Sequence, residues 1–92
     1  MAHTIKTKSK LIARIRRIKG QVEAVERALE AEISCADVLM LVASLRGAVQ
    51  GLTAELLEDH IRTHIVNPDT DTDPERARGA GELIEVVRTY LK

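Results

Sequence analysis

Four residues in this chain have side chains that bind borderline transition metals: His3, Cys35, His60 and His64. His60 and His64 stand four apart, and a helix places i and i+4 on one face, so both imidazoles can reach one cation. On an arbitrary helix such a pair is more often two ordinary surface histidines, and Cys35 is what sharpens the reading. As the single cysteine it excludes an intrachain disulfide and fits a reducing compartment. Its plainer reading is a small apolar residue near a helix start. His3 lies in a segment too basic to be core. Removal of Met1 ahead of the small Ala2 would set a free amine beside its imidazole, and the competing reading is an uncommitted terminal histidine. The donors are then one thiolate, up to three imidazoles and an amine. This nitrogen-rich, sulfur-poor set suits Ni(II) or Co(II), with Zn(II) also compatible, better than Cu(I). No oxyanion element, Gly-rich phosphate loop or carboxylate pair accompanies it, so the chain reads as a sensor and not as an enzyme.

The elements that must carry these residues are helical. Leu11, Ile15, Ile18, Val22, Val25 and Leu29 follow a heptad seam and predict a helix over residues 6–30. Ser34, with Asp37 three residues on, marks a helix start. A second seam, Val38, Val42, Leu45, Val49, Leu52 and Leu56, continues that helix over residues 35–66, until Asn67-Pro68 stops it. Small residues Ser44, Gly47, Ala48 and Gly51 leave one side open to close approach. Residues 69–75 read as an acidic loop containing Pro74, and residues 81–91 as a short third helix with Leu83, Val86 or Val87, Tyr90 and Leu91 as its apolar positions. No strand pattern appears. The expected fold is one all-α domain of 92 residues with two long helices and one short one.

Cys35 begins the helix that His60 ends. The 25 intervening steps span about 37 Å at the α-helical rise, too far to meet within one straight helix. If two copies of that helix pack antiparallel about a two-fold axis, Cys35 of one falls beside His60 and His64 of the other, giving two equivalent sites. The seams support this, because three helices of one chain cannot cover both of them. An obligate dimer or higher oligomer is therefore expected, against the rival of a compact three-helix monomer.

Net charge is zero, yet Lys6, Lys8, Lys10, Arg14, Arg16, Arg17 and Lys19 all precede the first acid, Glu23. That cationic block on an otherwise acidic chain suggests a polyanionic partner, the alternative being a solvated helix face. No helix-turn-helix is apparent, so the first helix itself is the candidate contact to double-stranded DNA. Lys10, Arg14 and Arg17 are expected on one outer face, with Ile15 and Ile18 inward, and Arg16 and Lys19 complete the block. Neither a signal peptide nor an uninterrupted membrane span is seen, the longest apolar stretch being residues 38–45. A soluble cytoplasmic protein without a membrane partner is expected.

Taken in order, Arg14-Ile-Arg-Arg-Ile-Lys-Gly-Gln-Val22, Ser34-Cys35, Leu45-Arg-Gly-Ala-Val-Gln-Gly-Leu52, His60-x-x-x-His64 and Val87-Arg-Thr-Tyr-Leu-Lys92 resemble the CsoR/RcnR/FrmR family of bacterial transcriptional repressors over essentially the whole chain. The resemblance implies a protomer that dimerises through its second helix, a flat tetramer built as a dimer of dimers, a cationic DNA-binding face, and release of DNA when the effector binds. At the sensor positions it is closest to the nickel/cobalt-sensing RcnR branch, which has His, Cys, His and His where this chain has His3, Cys35, His60 and His64. Copper sensors carry a second Cys where His64 stands. A metal-efflux gene is the target the resemblance implies. The alternative is a formaldehyde-responsive repressor using Cys35 and the terminal amine. Arg14, Arg16, Arg17 and Lys19 look more like that branch, whereas Ala2 and His64 depart from it.

Overall fold

The computed structural model describes the backbone of residues 4–91 and the side chains of residues 8–91. Among the described residues every regular element is helical, in the order α1 (Thr4–Glu30), α2 (Cys35–His60), a π-helical turn (Ile61–Ile65) and α3 (Pro74–Tyr90). The all-α class with three helices therefore holds, though the third is 17 residues long rather than a stub. The chain divides into two compact units, Met1–Leu52 and Thr53–Lys92.

The first unit is an antiparallel helix pair. Gln21 Nε2 on α1 donates to Ser44 Oγ on α2 at 3.3 Å. Seven residues earlier on α1, the Arg14 Nη1 lies 3.1 Å from where a Cβ on Gly51 would stand. The small side of α2 thus admits long polar side chains of α1. The inward row of α1 is Leu11, Arg14, Ile18, Gln21 and Val25, all half-buried, ending at buried Ala28. Facing it on α2 are half-buried Val38, Leu41, Leu45, Ala48 and Leu52.

Only every other member of each predicted seam turns inward. On α1, Ile15, Val22 and Leu29 are 49%, 49% and 61% exposed. On α2, Val42, Val49 and Leu56 are likewise exposed. The expected outer position of Arg14 and inner position of Ile15 are both reversed. A 3.6-residue helix can turn either flank of a heptad seam toward a single partner, and here that partner takes the flank containing Arg14.

Two signals delimit the link between these helices. At the end of α1, the Ile33 N–H donates to the Ala28 carbonyl at 3.2 Å and the Glu32 N–H to the Leu29 carbonyl at 3.1 Å. That is a Schellman closure, and it places Glu32 in the left-handed region at φ 54°. At the start of α2, the Asp37 N–H donates to Ser34 Oγ at 3.2 Å, as the Ser34/Asp37 spacing predicts.

In the second unit, buried Ala54, Ile61, Ile84 and Val87 form one apolar cluster between the end of α2 and α3. Regular α-winding stops at His60, not near residue 66. The Val66 N–H reaches back five residues to the Ile61 carbonyl at 2.8 Å, closing a π turn, and Val66 itself is extended. The third helix begins seven residues before the expected start. Asp73 Oδ1 accepts from the Glu75 and Arg76 N–H groups at 3.0 and 3.3 Å, and Pro74 fills the first helical position. Cap and proline together outweigh the cost of Gly79 and Gly81 in the helix interior. The intervening loop is folded on its own Asx side chains: the Asp69 N–H donates to Asn67 Oδ1, and the Asp73 N–H to Asp71 Oδ1.

The helical segment Cys35–Ile65 contains an 18-residue window with a mean hydropathy of 1.4 and is long and apolar enough to cross a membrane, which the short apolar stretch of residues 38–45 alone does not suggest.

Candidate functional site

The two imidazoles are brought together at the end of α2. His60 is its last residue and His64 lies in the π turn. Both are exposed, and their ring centroids are 4.9 Å apart with the planes tilted by 43°. From this spacing the rings can turn their nitrogens onto one cation, which accepts such ligands at about 2.0–2.1 Å for a metal like Zn(II). The reason is local. Ile61, between them, is 3% exposed and anchors the turn in the apolar cluster, which leaves the flanking imidazoles outward.

Cys35 is exposed at the other end of the same helix, as its first residue. Among the described residues, no group of three or more His, Cys, Asp or Glu side chains is gathered in a way that could hold a metal. His3 lies outside the described residues. Among the described residues, His60 and His64 come together and no third donor is gathered with them.

Beside the imidazoles is a network that the sequence reading missed. Arg88 of α3 donates from Nε and Nη2 to the two carboxylate oxygens of Glu58, at 2.9 and 3.0 Å. Arg62 in the π turn donates from Nε to Glu58 Oε2 at 3.1 Å and from Nη1 to Asp69 Oδ2 at 3.0 Å. The Arg88 hydrogen bonds, aided by those from Arg62, hold the Glu58 carboxyl below the ordinary glutamate range, against the opposing effect of its partial burial. The Glu58-x-x-x-Arg62 spacing is a visible helix-pair signal. Nothing in the sequence announces Arg88, which is 30 residues away. A parallel pair, Arg76 on Asp71 at 2.7 Å, lowers the Asp71 carboxyl and ties the acidic loop to α3.

Of the basic residues proposed for DNA, Lys10, Arg16, Arg17 and Lys19 are exposed on α1, while Arg14 is half-buried against α2 near Gly51. The remaining cationic face is intact, with Arg14 at its root rather than on its crest.

The described residues thus give an all-α chain with a basic first helix and paired imidazoles at the end of the second. Residues 7–89 match the metal-sensitive transcriptional repressor family, and the chain belongs to it. It is 48% identical over its full 92 residues, and over all of the relative, to an uncharacterised protein in the bioA 5′ region of Serratia marcescens. It is 38% identical, again over the whole of both chains, to the transcriptional repressor RcnR of Salmonella paratyphi B. The family consists of transcriptional repressors and not enzymes. Membership implies DNA as partner and a metal as effector.

Proposed function

We propose that this protein is a cytoplasmic repressor that holds operator DNA through the basic face of α1 and releases it on binding Ni(II) or Co(II). His60 and His64 offer one cation two nitrogens. Cys35 of a second, antiparallel copy would complete that pocket, and His3 with the terminal amine would close it. The metal supplies a centre that ties these donors together. Drawing His3 and its basic arm onto the pocket would reorient α1 and lower DNA affinity, a coupling that needs a few kcal/mol to act as a switch. The observation carrying this reading is the exposed imidazole pair at 4.9 Å, which no third donor joins among the described residues.

The apolar surface of α2 has a role in the same reading. Exposed Val42, Val49 and Leu56 lie on one side of α2 and are the face a second copy would cover, as the antiparallel dimer requires. In a family that acts on DNA, this accounts for the apolarity of Cys35–Ile65 without a bilayer. The resemblance extends the dimer to a dimer of dimers, and a metal-efflux gene is the proposed target.

The test is an operator-binding titration with Ni(II), Co(II), Zn(II), Cu(I) and formaldehyde as separate effectors, using wild type, Cys35→Ala and His64→Ala. Ni(II) or Co(II) should release wild-type protein and not the variants. Release by formaldehyde that survives His64→Ala but not Cys35→Ala would replace the metal reading with an aldehyde one.

A further inference from the structure

A π turn is rare and persists only where its surroundings hold it. Here it is held on two sides. Ile61 is fixed in the apolar cluster with Ile84 and Val87 of α3. Arg62 is gripped by Glu58 before it and Asp69 after it, at 3.1 and 3.0 Å. Glu58 is the hub: its carboxylate takes the planar two-point fork of Arg88 as well as the Arg62 Nε, and its side chain is only 22% exposed. Charge-assisted, two-point contacts of this kind set direction as well as distance.

We propose that Glu58 is a positioning residue for the imidazole pair. By clamping Arg62 and Arg88 it holds the π turn, and so sets the angle at which His60 and His64 meet a divalent cation. The inference rests on the reading of those histidines as metal ligands. In an α-helix a residue at i+4 lies about 40° around the axis from residue i, since each step turns about 100°. A wider turn rotates less per residue and brings His64 closer beneath His60. The Arg62–Glu58 pair alone would survive either winding, being spaced i, i+4. What biases the turn is that the same carboxylate is also held by Arg88 from α3, while Asp69 draws the Arg62 guanidinium forward. With Glu58→Gln the guanidinium groups of Arg62 and Arg88 lose their shared anion, and the turn is free to rewind.

The test uses the full chain, with Co(II) as the probe, and compares wild type, Glu58→Gln and Arg88→Lys. The last keeps the charge but loses the fork. Metal-free protein is read by amide exchange at Val66, whose N–H closes the π turn. Expected for Glu58→Gln are Val66 exchange faster by at least about tenfold, an altered Co(II) visible spectrum, and Co(II) affinity lower by about 10–100-fold, the range for groups that orient metal ligands. Helical content and oligomeric state should stay as in wild type, and Arg88→Lys should fall between the two. Unchanged Val66 exchange, or wild-type Co(II) affinity and spectrum in Glu58→Gln, overturns the proposal. So does a uniform acceleration of all amides, which would mark Glu58 as merely structural. If wild type takes up no Co(II), the metal-ligand reading fails separately, and Val66 exchange still decides whether Glu58 holds the turn.

Discussion

Glu32 occupies a backbone position that suits glycine. At φ 54° its Cβ crowds the following carbonyl, yet the position closes α1 and cannot take another conformation without opening two hydrogen bonds. Glu32→Gly is expected to stabilise the metal-free protein by about 0.5–1 kcal/mol, as the relieved strain exceeds the added freedom of the unfolded chain. Urea unfolding would show the midpoint rise with unchanged slope. Glu58 gives the opposite kind of residue-scale effect. Its folded carboxyl binds a proton more weakly than the ordinary 4.5 of the unfolded chain. The stability it contributes is present in full above that value and is lost as pH falls through the lower, folded one. Unfolding measured as pH falls through 4.5 and below should show a decline whose slope is shallower in Glu58→Gln.

At the scale of elements, α1 presents two kinds of basic residue. Arg17→Ala should weaken operator binding and reduce the slope of log affinity against log salt by about 1, leaving thermal stability unchanged. Arg14→Ala should lower stability as well, because Arg14 packs beside Gly51. Binding isotherms at several salt concentrations, beside melting curves, separate the two. The helices themselves were legible in the sequence because the heptads at Leu11–Leu29 and Val38–Leu56 are long and regular. Which flank of each heptad packs inside the chain was not legible, since the same spacing serves a partner helix from either side. The start of α3 was hidden for a different reason: Gly79 and Gly81 argue locally against helix, while Asp73-Pro74 argues for it, and only the cap geometry decides. The His60/His64 pair was readable because its partners are four residues apart. The Glu58–Arg88 clamp was not, since it depends on how α3 packs.

For the whole molecule, the seams of α1 and α2 each turn half of their members inward and leave the other half exposed. Val49, 44% exposed at the middle of α2, is the point at which to test that division. If α2 pairs with a second copy as proposed, wild type sediments as an oligomer, and Val49→Glu should leave the helix pair folded, lower the mass measured by sedimentation to that of the single chain, and abolish both operator binding and Co(II) uptake at wild-type concentrations. Retained assembly in Val49→Glu would place the covering partner elsewhere.

In the proposed dimer the divided seam would also make the protein's robustness a matter of its abundance. Subunits that share apolar surface are stabilised by mass action, so a chain at low copy number would melt earlier, and be degraded faster, than the same chain in excess. The thermal midpoint should climb with each tenfold rise in total protein. If the protein pairs as proposed, a cell relying on it would have to keep a reserve of subunits in order to keep any of them intact.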